Sequence, residues 1–205
     1  MGRIDIKRID EVKNLYNKDQ LCMREIGERL GVPIDAVIYF MRKNGLKRRS
    51  FSEIDKIRFD NKPLSFKIKK LDTKYLRDLK TIGLMLYWGE GYKSDNCKVV
   101  DLANSNPDMI LVFTNFLRKI YGVDEKRLRI YLYCHANQDY KELTRFWSKL
   151  TKVPESQFSK PYIRSDFRED GRKMEHGLVH VRYSDKKLFL EIMKAINFYK
   201  NKYIK

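Results

Sequence analysis

Residues 23–42 constrain the fold more than any other part of this 205-residue chain. Apolar residues recur there at helical spacing on either side of Gly31, and polar residues fill the positions between them. The apolar positions are Ile26, Leu30, Val37 and Phe40. Gly31 lies where a tight turn needs a positive φ, which glycine adopts at the least cost. The pattern therefore predicts two short helices that pack together across a turn.

Two further residues sharpen this prediction. Gly27 is small at the point where the two helices must approach each other, and Pro33 either begins the second helix or precedes it. With Gly27, Gly31 and Val37 at these offsets, the segment resembles the helix-turn-helix family of DNA-binding domains. The alternative interpretation is an ordinary helical hairpin with a hydrated basic end.

The resemblance implies that residues 34–44 form the recognition helix. Its outward positions include Tyr39 and Arg42, which are the predicted readers of base edges. A cluster of cations at its C-terminal end is predicted to contact DNA phosphates, with a minor-groove arm as a further role. These cations are Arg42, Lys43, Lys47, Arg48 and Arg49.

The overall charge favours the same kind of partner. The chain has 44 Lys and Arg against 27 Asp and Glu, a formal net charge of +17. Residues 1–70 contain 18 basic and 10 acidic side chains and the remainder 26 and 17, so both regions carry an excess. Such a distribution favours a polyanion such as nucleic acid, although a generally lysine-rich proteome would also produce it. Together with the helix-turn-helix resemblance, it predicts double-stranded DNA as the partner. The sequence predicts no membrane association, and the three cysteines, without a CxxC pair, fit a reducing compartment. The expected location is cytoplasmic (nucleoid-associated) or nuclear.

The periodicity divides the chain into three parts: an all-α domain at 1–50, a basic linker with a short helix or arm at 51–72, and an α+β domain at 73–205. In the third part, helical and strand-like patterns alternate. The predicted helices are 73–88, 106–121, 140–150 and 185–199, and the predicted strands are 97–103, 127–134, 157–164 and 178–183. We expect helices to cover one face of a mostly antiparallel sheet.

An apolar helix in this domain ends in Gly89, Glu90 and Gly91. A carboxylate is disfavoured at the C-terminal end of a helix, because the helix dipole is negative there. A bound divalent cation would offset that cost. The alternative is a helix-to-strand turn with a surface glutamate in an unrelated fold.

Residues 84–91 resemble the motif helix of the LAGLIDADG homing-endonuclease family, which ends in a small residue, an acid and a glycine. The resemblance extends less specifically over residues 73–200 and implies an αββαββα domain at 73–205. It implies that Glu90 is the catalytic, Mg²⁺-binding carboxylate. It also implies that Gly89 and Gly91 are helix-packing residues.

The function implied is a site-specific double-stranded DNA endonuclease, in which Mg²⁺ activates water and a nearby cation stabilises the transition state. Candidates for that cation are Lys93, Lys160, Arg164 and Arg182. Because the chain has one such motif, cleavage of both strands would require a homodimer. The alternative is a non-catalytic transcriptional regulator built on the same two domains.

Overall fold

The computed structural model describes residues 4–94, 96–165 and 174–204. The chain divides into two units, Met1–Pro63 and Leu64–Lys205, which we call unit 1 and unit 2. The described residues form eight α-helices and one four-stranded mixed sheet, so the fold belongs to the α+β class that the sequence predicts. Within these residues, no helix is both long enough and apolar enough to span a membrane.

Unit 1 is entirely helical in its described part. Its helices are α1 (Ile9–Asn17), α2 (Met23–Leu30), α3 (Ile34–Lys43) and α4 (Phe51–Asn61). The first three helices enclose one apolar core, formed by Val12, Leu15, Tyr16, Ile26, Val37, Phe40 and Met41. The core includes three of the four apolar positions that the sequence assigns to this hairpin; the fourth, Leu30, is partly buried against it.

Unit 2 alternates helices and strands. Its elements are α5 (Lys74–Glu90), β1 (Val100–Asn104), α6 (Pro107–Tyr121), β2 (Leu128–His135), α7 (Tyr140–Thr151), β3 (Tyr162–Arg164), β4 (Leu178–Tyr183) and α8 (Lys186–Tyr203). Each helix and strand predicted for this part of the chain is present, although β3 has three residues where eight were expected.

The order of these elements is αβαβαββα, which differs from the αββαββα arrangement that the LAGLIDADG resemblance implies. In the described residues between α5 and β1, the backbone forms the isolated bridge from Gly91 to Leu102 in place of a further strand. Helix α7 also lies between β2 and β3, which would otherwise be consecutive strands.

The sheet has the strand order β1-β4-β2-β3. Strand β4 pairs antiparallel with both β1 and β2, whereas β2 and β3 are parallel. Alternate residues of β2 and β4 are buried against the helices, as the two-residue period of a strand requires. In β1, Val100 and Leu102 are buried in the same core, and Asp101 between them is buried on the opposite side. The remaining residues face the opposite side, where the side chains are mostly partly exposed.

The stretch 51–72, which the sequence predicts to be a basic linker with a short helix or arm, is divided between the two units. The short helix is present as α4, and Ser50 caps its N-terminal end through reciprocal hydrogen bonds with Glu53. The second half of the stretch belongs to unit 2, where the amides of Lys67 and Lys69 donate to the carbonyls of Tyr121 and Ile120 at 2.8 Å. Phe66 is buried in the core of unit 2.

The boundary therefore lies between residues 63 and 64. The sequence pattern missed it because the hydrogen-bond partners of 64–72 lie far away in the chain, at 120–124 and 183–185, where no local pattern reveals them.

Candidate nucleic-acid interface and the end of helix α5

Helices α2 and α3 meet at a close backbone contact. Gly31 adopts the left-handed conformation (φ 67°, ψ 32°) and ends α2. A Cβ atom at Gly27 would lie 2.7 Å from the carbonyl oxygen of Val32, so this helix pair accepts only glycine there without a shift. Gly31 thus lies in the tight turn and Gly27 at the close approach of the two helices, as the sequence predicts. Together they determine the direction in which α3 leaves the turn.

Helix α3 presents a polar, partly aromatic surface to solvent. Tyr39 is 52% exposed, and the guanidinium of Arg42 lies 6.0 Å from the centre of its ring. Lys43 is exposed in the last turn of the helix, and Lys47 and Arg48 are exposed in the segment that follows. These five predicted DNA-contacting residues are therefore accessible in unit 1. We call them the α3 surface.

Arg49, the last cation of the predicted cluster, forms hydrogen bonds and a ring contact within unit 1. Its guanidinium lies 3.9 Å from the centre of the Tyr16 ring. It donates to the carbonyls of Gln20 and Leu21 at 3.2 Å each and to the carbonyl of Tyr16. Its backbone amide donates to the Tyr16 hydroxyl at 2.8 Å. Arg49 therefore ties the chain after α3 to the end of α1, in contrast to the phosphate contact predicted from its place in the cluster.

Glu90 is the last residue of α5, and its side chain is exposed. Water therefore reduces the electrostatic cost that the helix dipole imposes on a carboxylate at this position. In the described ranges, no group of three or more His, Cys, Asp or Glu side chains is arranged to hold a metal ion. A cation at Glu90 would have to complete its oxygen shell with water and substrate phosphate.

The C-terminal end of α5 already has a cation, the ammonium group of Lys93. Its Nζ donates to the carbonyls of Gly91 at 2.5 Å and Tyr87 at 3.3 Å. Burial, followed by repulsion from Lys200, lowers the pKa of Lys93, whereas Glu90 acts in the opposite direction. Lys93 thus offsets the helix dipole and lies within electrostatic reach of Glu90.

The two glycines beside Glu90 differ in their surroundings. Apart from its chain neighbours and the backbone of its own helix, no atom of the described residues lies within 4 Å of the position that a Cβ of Gly89 would take, so Gly89 faces open space. A Cβ at Gly91 would lie 2.4 Å from the ring of Tyr87, which is fully buried. The close helix contact of α5 is instead at Gly83, where a Cβ would lie 2.3 Å from the Phe116 side chain of α6.

The other three cations proposed to assist catalysis lie on or before strands. Lys160 is exposed in the segment before β3, and Arg164 is exposed in β3, in register with His135. Arg182 lies in β4 and is bound to Asp101 of β1. The catalytic roles of these residues remain predictions.

The sequence did not reveal the Asp101 cluster. Asp101 is only 4% exposed, and one of its carboxylate oxygens accepts hydrogen bonds from Arg182 Nε at 2.9 Å and Nη2 at 2.6 Å. The other oxygen lies 3.0 Å from His180 Nδ1. Burial raises the pKa of Asp101, but the hydrogen bonds from His180 and Arg182 outweigh it and hold the pKa below its usual range.

Aromatic rings continue from this cluster across the sheet. Arg182 lies 4.4 Å from the centre of the Tyr131 ring. The ring of Tyr133 lies 5.0 Å from that of His180 and 5.3 Å from that of Tyr162. We call this side of the sheet the tyrosine face; its residues are Asp101, Ala103, Arg129, Tyr131, Tyr133, Tyr162, Leu178, His180 and Arg182. The alternation of β2 is visible in the sequence, but the partners on β1, β3 and β4 depend on the register.

The chain matches no family model, no curated protein and no solved structure at a significant level.

Proposed function

We propose that unit 1 binds double-stranded DNA by placing α3 in the major groove. The observation that carries this proposal is the close α2–α3 turn at Gly27 and Gly31, followed by the exposed α3 surface. A helix fits the major groove, which is about 12 Å wide. Tyr39 and Arg42 are the proposed base-reading residues. Lys43, Lys47 and Arg48 supply the charge that positions the helix on the backbone.

The salt dependence of binding tests this proposal. In a Lys47→Ala/Arg48→Ala variant, we expect the slope of log affinity for a duplex against log salt concentration to become shallower by about one to two units, because each lost phosphate contact releases one counterion fewer. The matched control is Lys141→Ala/Lys149→Ala, which removes two exposed charges from α7. An unchanged slope in the first variant, or an equal change in the control, would contradict the proposal.

A second candidate function is Mg²⁺-dependent DNA cleavage at Glu90 by a divergent LAGLIDADG-like unit 2. Two observations favour it. Glu90 is exposed at the end of α5, and the space next to Gly89 is open, so a phosphate and a hydrated cation have access. Magnesium is commonly bound by one or two carboxylates together with substrate phosphates. In this proposal, two chains would supply the two carboxylates needed for a double-strand break.

A cleavage assay separates the nuclease from the regulator. Wild-type protein and Glu90→Gln are incubated with a plasmid library and Mg²⁺, and linear DNA is measured; Glu142→Gln, an exposed glutamate on α7, is the control. The nuclease proposal expects cleavage by wild type and the control but not by Glu90→Gln, which retains the size of the side chain without its charge. Tight binding of one sequence without any cleavage would support a transcriptional regulator. Equal cleavage by all three proteins would place the catalytic carboxylate elsewhere.

A further inference from the structure

We infer that the tyrosine face of unit 2 is a binding site for single-stranded nucleic acid. In this inference, bases stack on the rings of Tyr131, Tyr133 and Tyr162, and Arg129 and Arg182 hold the backbone phosphates. The site is distinct from the α3 surface of unit 1 and does not depend on the function proposed for that surface.

The strand register arranges the tyrosine face in rows. Arg129, Arg182 and Asp101 are paired across β2, β4 and β1 and form the first row. Tyr131, His180 and Ala103 form the second row. Tyr133 pairs with Leu178 on one side and Tyr162 on the other, which makes the third row. Successive rows are two residues apart, or roughly 7 Å. A single strand of nucleic acid that crosses the rows would therefore contact cations at one end and aromatic rings at the other.

The rings offer apolar surface to a ligand. Tyr162 is 59% exposed, and Tyr131 and Tyr133 are partly exposed, although all three lie on a regular sheet. Single exposed aromatic residues are common, but adjacent ones on one face point to a binding surface. Base stacking on an aromatic side chain stabilises such complexes and tolerates any base, since every base has a π-face.

The cations beside the rings are held in place before any ligand binds. Asp101 binds Arg182 through two nitrogens and His180 through Nδ1, and the Arg182 guanidinium lies over the Tyr131 ring. A guanidinium plane is itself a surface on which a base can stack. Arg129 is exposed in the same row and donates to the carbonyls of Lys126 and Leu128 at 2.6 and 2.7 Å. Phosphate binding at this row would require little further ordering of these side chains.

The composition of the face favours a single strand over a duplex. In a duplex the bases stack on one another and present only their edges, which proteins read mainly through Arg, Lys, Asn and Gln. The described residues of this face include no Asn or Gln, and Ala103 and Leu178 add apolar surface beside the rings. Single-stranded bases are free to turn their flat sides to such a surface.

Fluorescence anisotropy with a labelled oligo-dT strand and a labelled hairpin duplex tests this inference. The measurements use the full chain in the Lys47→Ala/Arg48→Ala background, so that the α3 surface contributes less to binding. We expect Tyr162→Ala and Tyr133→Leu each to weaken oligo-dT binding by about tenfold, from the usual cost of losing one stacked base. Tyr162→Phe, which keeps the ring, should bind like the parent protein. Tyr140→Ala removes an exposed tyrosine from α7 and is the matched control.

The outcomes separate the alternatives. Because Tyr162 is exposed, its replacement should leave the fold intact, which the circular dichroism spectrum will show. Absence of oligo-dT binding, or equal affinity of Tyr162→Ala and its parent, would overturn the inference. A duplex that binds more tightly than oligo-dT and shows the same dependence on the rings would overturn it in favour of a duplex-binding face. None of these results depends on whether the α3 surface binds DNA.

Discussion

Adjacent arginines have different environments in unit 1. Arg48 is exposed, whereas Arg49 stacks on Tyr16 and donates to three carbonyls at the end of α1 and the turn that follows. A run of basic residues in a sequence thus does not show which side chains reach solvent. A side chain with several hydrogen-bond donors can also satisfy helix-end carbonyls, which otherwise lack partners.

This difference predicts that two neighbouring substitutions affect different properties, stability in one case and DNA binding in the other. Arg49→Ala should lower the free energy of unfolding of unit 1 by about 2 kcal/mol, because charged hydrogen bonds and the contact with Tyr16 are lost. Arg48→Ala should leave unfolding unchanged and weaken only duplex binding. Thermal denaturation followed by circular dichroism measures the first effect. If both variants melt at the same temperature, Arg49 has no structural role of this kind.

Among the helices, close packing occurs at specific glycines. Gly27 lies against the backbone of Val32, and Gly83 lies against Phe116, so α2–α3 and α5–α6 each approach at a residue without a side chain. Gly89, which the LAGLIDADG resemblance assigns to helix packing, faces open space in the single chain. Its role as a packing residue therefore depends on a second chain and remains a prediction.

Two alanine substitutions test this distinction. Gly27→Ala should destabilise unit 1 by about 2 kcal/mol, the cost typical of overpacking, because the new Cβ would meet a backbone oxygen. Gly89→Ala should have no such cost and should stabilise α5 by up to about 0.5–1 kcal/mol, since alanine loses less backbone entropy in a helix. Urea denaturation of each variant gives both values. A large loss of stability in Gly89→Ala would indicate that this end of α5 packs against a partner.

At the scale of the whole molecule, the chain comprises two units with separate cores. The residues between them, 61–64, are exposed, whereas the amides of Lys67 and Lys69 are hydrogen-bonded to the end of α6. We therefore expect a broad-specificity protease to cut first at 61–64. Mass spectrometry of the early fragments locates the cut, and the larger fragment should unfold cooperatively by itself. Initial cleavage at 66–70 or 84–103 would contradict this boundary.

Most of the local structure could be predicted from the sequence alone. Apolar spacing located α2 and α3 and the helices and strands of unit 2, and Gly31 marked the turn, because these features depend on residues that are near one another in the chain. The same reasoning identified an exposed basic surface after α3. It could not separate Arg49 from that surface, since the partners of Arg49 lie 28–33 residues away.

Only the tertiary structure decided the strand order, the parallel pairing of β3 and the residues that share the tyrosine face. Asp101 and Arg182 are 81 residues apart and become neighbours because β4 pairs antiparallel with β1 in the register that places them opposite each other. The same holds for Gly83, where the Phe116 side chain of α6 occupies the space that a side chain would need. A strand's two-residue period shows which of its residues share a side, but the choice of neighbouring strands results from packing of the whole core.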